Sequence, residues 1–275
     1  MILKEFVDDS LKNNPELSKA NLLKIIFFLS KEIKSNELLH LNINKEIDFD
    51  LKKANKIINK FLNKKIPLEY ITKSFNFYNN EYYITKNVFI PRDETEFLVS
   101  NIIKKYKDVS NLKVLDICSG SGCISNTLQM HFKDSMVYGL EKNKTPLKIA
   151  NMNKNKYSLN TIFIKANIFK WIKTNNMKFD LIVCNPPYIS KDYKLDKIVL
   201  KEPKAALFAD NDGLLFYEII LSNIKNILEL NGTLIFEIGF DQKDRLINIL
   251  KENKLTNYNF EKDQYGLDRN LYIKL

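Results

Sequence analysis

Val114-Leu115-Asp116-Ile117-Cys118-Ser119-Gly120-Ser121-Gly122 decides the fold. Its first four residues form a short, mostly apolar run of the kind that makes a strand buried on both faces. The run ends in a turn with glycines at 120 and 122, followed by residues with a helical pattern. Glycine lets backbone amides come close to a ligand, and the N-terminus of the next helix offers partial positive charge to a carboxylate or phosphate. A tight turn without a ligand has the same local pattern. A dinucleotide fingerprint asks for a further glycine at 125, where Ser125 stands. The stretch therefore predicts strand, turn and helix, and leaves the ligand open.

Working outward, strands and helices alternate after residue 91. Strands are expected at Lys113–Ile117, Met136–Glu141, Thr161–Ile164, Phe179–Cys184 and Thr233–Ile238, with two more around 258–260 and 270–273. Helices are expected at Glu94–Lys105, Cys123–Phe132, Pro146–Asn153, Leu214–Glu229 and Gln242–Lys251. Such alternation predicts an α/β fold, a Rossmann-like parallel sheet with helices on both faces. Residues 1–72 contain no glycine and repeat apolar residues at helical spacing, as in Leu22, Leu23, Ile25, Ile26 and Leu29. They read as a small helical domain. Residues 73–91 are aromatic and β-branched around Asn79-Asn80, which reads as a β-hairpin linker to a domain over 92–275.

Composition removes several function classes. The 275 residues are 45% hydrophobic, enough to form a core. No apolar run approaches the roughly 18 residues of a membrane span. Met1–Ser10 is acidic from position 5 and lacks the order of a signal peptide, so a cytoplasmic protein is expected. Cys118, Cys123 and Cys184 form no C-x-x-C pair, which suggests neither a disulfide framework nor a metal site. His40 and His131 are the only histidines, too few for hydrolase triads or histidine-rich metal centres. The net charge is +10, and only three of the 43 basic residues are arginines. Nine lysines and no acid lie between Lys142 and Lys178, a solvated face in the plainest reading, or a flank for an acidic partner.

Three further elements suggest chemistry. Glu141 ends the second strand about 20 residues beyond the glycine turn, where a carboxylate accepts ribose hydroxyls. Asn167 and Ile168 follow the third strand, placed to meet the edge and the face of an adenine. Asn185-Pro186-Pro187-Tyr188 follows the apolar strand Phe179–Cys184. Its prolines donate no N–H, so the turn presents acceptors: the Asn185 side-chain oxygen and the Pro186 carbonyl. An acceptor pair suits a planar NH₂ with two hydrogens to donate, and Tyr188 packs against such a group. Beside an S-adenosylmethionine pocket, this pair makes an N-methyltransferase.

Over nearly its whole length the chain resembles the release factor glutamine methyltransferase family. The matching stretches are Ile90–Glu96, Leu115–Gly122, Asn185–Ile189, Glu202-Pro203 with Ala205–Leu207, Asp212–Leu214 with Phe216-Tyr217, Glu237–Gly239 with Gln242, and Asp263 with Gly266, Asp268 and Arg269. The resemblance implies a seven-stranded class I methyltransferase sheet with an N-terminal helical domain that recognises substrate. It implies S-adenosyl-L-methionine as cofactor and S-adenosyl-L-homocysteine as product. The implied substrate is the glutamine of the Gly-Gly-Gln motif in peptide chain release factors, methylated on its side-chain nitrogen. Asn185, Pro186 and Tyr188 take the catalytic roles, with Pro187 and Phe89 completing the substrate site. Cys118, Ser119, Gly120, Ser121, Gly122, Glu141, Asn167, Ile168 and Asn185 line the cofactor. The implied partner is a release factor, with no membrane, metal or nucleic acid required, and a monomer is expected. The chain departs from the family at Cys118 (often Gly), Asn167 (often Asp) and Asp93 (usually Pro). A DNA adenine or RNA base N-methyltransferase fits the same acceptor pair, but such enzymes carry a larger basic recognition region, and residues 1–75 have 14 lysines against 10 acids. A silent ribosome- or RNA-binding protein of the same fold is the reading from another class.

Overall fold

The helical signal of the first 72 residues resolves into α1 (Leu3–Asn13), α2 (Lys19–Leu29), α3 (Asn36–Asn42), α4 (Leu51–Leu62) and α5 (Leu68–Thr72) in the computed structural model, which describes residues 1–275. Side chains start three of these helices: Ser18 accepts from the Asn21 N–H at 3.2 Å, Ser35 from Leu38 at 3.2 Å and Asp50 from Lys52 at 2.8 Å. Their apolar stripes meet in one core around Leu3, Phe6, Leu22, Ile25, Ile26 and Ile58. This unit comprises Met1–Lys73 together with Leu195–Lys201. His40 is exposed on α3.

The second unit, Ser74–Lys194 with Glu202–Leu275, begins with a hairpin of β1 (Ser74–Phe77) and β2 (Asn80–Tyr83). Phe77 pairs with Asn80, so the turn residues are Tyr78 and Asn79, one position earlier than the asparagine pair suggests. Both have positive φ, 48° and 61°. The register is set by the buried faces of Phe75, Phe77 and Tyr82, and the turn follows from it. Tyr78 then stacks edge-on against His131, 5.1 Å away.

The main sheet follows: α6 (Asp93–Tyr106), β3 (Lys113–Ile117), α7 (Cys123–His131), β4 (Met136–Glu141), α8 (Lys144–Lys156), β5 (Ile162–Lys165), α9 (Ile168–Thr174), β6 (Phe179–Cys184), α10 (Lys204–Leu207), α11 (Leu215–Ser222), β7 (Leu228–Glu237), α12 (Lys243–Glu252), β8 (Tyr258–Lys262) and β9 (Asp268–Lys274). The seven strands lie in the order β5-β4-β3-β6-β7-β9-β8. The first five are parallel, and β9 runs antiparallel between β7 and β8. This is the expected Rossmann-like sheet.

The α11–β7 boundary and two added helices, α9 and the short α10, differ from the sequence reading. The helix expected over Leu214–Glu229 stops at Ser222, and β7 begins at Leu228. Leu228 pairs with Phe179 of β6 with both side chains fully buried, so strand pairing overrides the local helical pattern. The added helix α9 lacks a helical repeat long enough to read. The Asn167 side chain starts it by accepting from the Phe169 N–H at 3.1 Å.

Candidate active site

In a parallel sheet, ligands bind beyond the carboxyl ends of the strands, where the strand order reverses. Here the chain winds outward through β3, β4 and β5, then returns to lay β6 on the other side of β3. The glycine turn leaves the end of β3, and Asn185–Tyr188 leaves the end of β6, so the two motifs flank the reversal. Glu141 ends β4, and Asn167 follows β5 on the same edge.

The turn is held from beneath. Asp116 on β3 is fully buried and accepts from both the backbone N–H (3.1 Å) and the hydroxyl of Ser125 on α7. Ser125 thus ties strand to helix where a dinucleotide fingerprint has glycine. Burial pushes the Asp116 carboxyl up to about 7, against the lowering effect of the two Ser125 bonds. Cys118, Gly120 and Gly122 all have positive φ, at 64°, 54° and 75°. Glu141 accepts from the Gly120 N–H at 3.2 Å and from the Asn143 N–H at 2.7 Å. Burial raises its carboxyl above the ordinary range.

Several features fit a bound polar cofactor. The Ser119 and Ser121 hydroxyl oxygens and Asp116 Oδ1 are buried without a hydrogen-bond partner in the protein. A Cβ on Gly120 would meet nothing closer than the Cys118 carbonyl at 3.8 Å, so the face of the turn is open. Further along the edge, Asn167 Oδ1 is engaged in capping α9, and Ile168 is 4% exposed within the sheet core.

On the β6 side, Pro186 and Pro187 are buried and Asn185 is half-buried. Asn185 Nδ2 donates to the Thr95 hydroxyl at 3.1 Å, and that hydroxyl donates to Glu237 Oε2 at 2.7 Å. The Asn185 amide nitrogen is thus engaged within the protein. Tyr188 donates through its hydroxyl to Glu237 Oε1 over a long 3.5 Å. Its backbone carbonyl accepts from Gln242 Nε2 at 2.9 Å, while Gln242 Oε1 accepts from the Gly239 N–H at 2.9 Å. Ile189 bridges to the 207–209 segment, donating to the Leu207 carbonyl and accepting from the Ala209 N–H, each at 3.0 Å. The loop is thus pinned on both sides.

Beside Tyr188 a cavity of about 180 Å³ opens, lined among others by Tyr193, Phe240, Gln242, Arg245 and Arg269. Arg269 is tethered to Asp263 at 3.3 Å and faces Glu94 at 3.7 Å. Phe89 is half-buried beneath the Arg92 guanidinium, 5.0 Å away, and lies outside the lining of this cavity. Arg92 is paired with the buried Glu202, which also accepts from the Ile90 N–H at 3.0 Å. Thr95, Asp116, Glu202 and Glu237 escaped sequence reasoning as site residues. All four fall within family motifs, but only the fold brings them to their partners.

Residues 92–216 match the Methyltransferase small domain family. This fold, with a glycine turn and an Asn-Pro-Pro-Tyr turn flanking the reversal, defines an S-adenosylmethionine-dependent methyltransferase. The Release factor glutamine methyltransferase of Mycoplasma mycoides subsp. mycoides SC is 38% identical over 219 residues, covering 78% of each chain. That of Fusobacterium nucleatum subsp. nucleatum is 35% identical over 286 residues, covering 98% of this chain and 80% of the relative. The chain belongs to the release factor glutamine methyltransferase family. Among solved structures, a methyltransferase from Pyrococcus furiosus shares the fold, with a TM-score of 0.54 at 16% identity, covering 82% of this chain and 98% of that one.

Proposed function

We propose that this protein methylates the side-chain amide nitrogen of the glutamine in the Gly-Gly-Gln motif of peptide chain release factors, acting as a cytoplasmic monomer. In this reading residues 1–72 recognise the factor, residues 73–91 join them to the catalytic domain over 92–275, and no nucleic acid takes part. The observation that carries the reading is the orientation of Asn185, whose Nδ2 is engaged by Thr95 so that Oδ1 is offered to a donor.

The cofactor supplies a methyl activated on a sulfonium. Ser119 and Ser121, with the backbone of Cys118, Gly120 and Gly122, hold its amino-acid end. Glu141 takes the ribose hydroxyls, and Asn167 and Ile168 border the adenine. An amide nitrogen is a poor nucleophile because its lone pair is delocalised into the carbonyl. Asn185 Oδ1 and the Pro186 carbonyl accept its two N–H bonds, holding the nitrogen in line for transfer and stabilising the positive charge that grows on it. Pro187 stiffens the turn, and Tyr188 packs against the planar amide. After transfer the protonated amide is strongly acidic and releases its proton to water, so no histidine base is required.

The test offers labelled S-adenosylmethionine to a release factor, to the factor with the motif glutamine replaced, and to DNA. Label is expected only in the intact factor, and label in DNA overturns the reading. Asn185→Ala should lower turnover by roughly 10² to 10³, as for loss of one preorganised polar contact, with cofactor affinity better preserved. Unchanged single-turnover methylation in that variant removes Asn185 from the chemistry.

A further inference from the structure

Behind Asn185 lies a buried polar chain that packing does not account for. Thr95, in the first turn of α6, and Glu237, the last residue of β7, are each 1% exposed. A buried carboxylate costs more than an apolar side chain of the same size. What this one achieves is directional. The Thr95 hydroxyl has a single proton, and an ionised Glu237 only accepts. That proton therefore points to Glu237, across 2.7 Å, and the hydroxyl turns its lone pairs to Asn185. Only the NH₂ half of the Asn185 amide matches them, at 3.1 Å. With the amide flipped, an oxygen would face lone pairs.

We propose that Thr95 and Glu237 are positioning residues for methyl transfer, a one-way hydrogen-bond relay that fixes Asn185 with its oxygen, and never its NH₂, toward the substrate nitrogen. The proposal rests on the reading of Asn185 as acceptor for a substrate NH₂, which it deepens.

The groups around Glu237 come from four elements and the Asn185–Tyr188 turn. Glu94 on α6 repels its charge and Arg269 on β9 attracts it, while Tyr188 approaches through its hydroxyl. Cys184 on β6 lies within its field, and the Tyr217 hydroxyl of α11 donates to its backbone carbonyl at 2.9 Å. Burial dominates, pushing the carboxyl up to about 7, with the Thr95 hydrogen bond opposing. Below that pH Glu237 carries a proton of its own and donates it to Thr95. The Thr95 proton is then free to point at Asn185, whose amide flips to accept it through Oδ1 and so turns its NH₂ to the substrate. Turnover should accordingly fall as pH drops through about 7, with the titration of one group.

The experiment measures kcat and KM from pH 6 to 9 for the wild type, Thr95→Val, Thr95→Ser and Glu237→Gln. Thr95→Val should lose about 10- to 100-fold in kcat with the cofactor KM within about twofold, and Thr95→Ser should stay within about threefold of wild type. The acid limb should vanish in Glu237→Gln, whose amide does not titrate. Wild-type kcat in Thr95→Val, or an unchanged acid limb in Glu237→Gln, overturns the relay. A readout that needs neither variant to fold is the side-chain ¹H–¹⁵N signal of Asn185 in the wild type, identified by its loss in Asn185→Ala. It should shift between pH 8 and 6 with the same midpoint, and a signal that does not move overturns the relay as well. Should the wild type methylate no release factor, the substrate reading fails on its own, and this signal still decides the relay.

Discussion

Gly213 shows how tightly the acceptor turn is framed. Its φ is 85°, and a Cβ there would lie 2.0 Å from the Tyr188 carbonyl oxygen and 3.0 Å from the Gln242 Nε2 that donates to that oxygen. The obstacle is backbone, so the loop must move. Gly213→Ala should lower kcat by at least about 10-fold, since a misplacement near 1 Å costs about 10²-fold, and should destabilise by about 1–3 kcal/mol. Single-turnover methylation and thermal melting check both, and a wild-type rate with a wild-type melting temperature would show that the loop yields freely. Asp116 supports a prediction about pH. Its folded carboxyl sits at about 7, above its ordinary 3.8, so between those values the folded state binds more protons than the unfolded. The stability it allows is complete below the lower value and is lost as pH rises through the higher one. Asp116→Asn removes this titration, so its melting temperature should rise relative to wild type as pH goes from 5 to 8. A difference that does not change with pH would remove the buried charge from the account. These residues also mark where sequence reading stops. Asn185 and the two glycines are visible because their function is local to a turn. Thr95 and Glu237 are not, because their hydrogen bond joins positions 142 residues apart and only the sheet order makes them neighbours.

Among the elements, the central strands were legible because a strand covered on both faces is an apolar run, as in β3 and β6. The α11–β7 boundary was not, because Leu214–Glu229 satisfies a helical spacing that Phe179 then overrides by pairing with Leu228. Helix α9 was hidden for a different reason: it has seven residues, and its start depends on one side chain. That dependence is testable. Asn167→Ala should cost about 1 kcal/mol for the lost cap, while Asn167→Asp keeps an acceptor and adds charge at the positive end of the helix, gaining about 0.3–1 kcal/mol. Chemical denaturation of the two variants should bracket the wild type, and equal stabilities would mean that α9 is held by its packing alone. Since α9 borders the proposed adenine site, the alanine variant should also bind S-adenosylmethionine less tightly.

At the scale of the molecule, the excess charge gathers on one flank. The nine lysines between Lys142 and Lys178 run along α8, β5, α9 and their loops, at the β5 edge of the sheet. An exposed edge is a template for pairing with another chain, and charged side chains such as Lys165 discourage that. Such a field would also draw in an acidic partner. Replacing Lys148, Lys165, Lys170 and Lys173 with glutamine should slow methylation of a release factor more at low salt than at high salt. Equal slowing at both would assign the lysines to edge protection only. The helical character of the first unit was readable from its repeats, but its full membership was not: Leu195–Lys201, more than 120 residues further on, belongs to it. The chain therefore passes between the two units three times, after residues 73, 194 and 201. The helical unit is not a detachable module in the genetic sense. A truncation at residue 73 removes the helices but leaves their seven-residue outlier in the remaining chain, ten residues beyond Asn185, without the surface it was built to pack on.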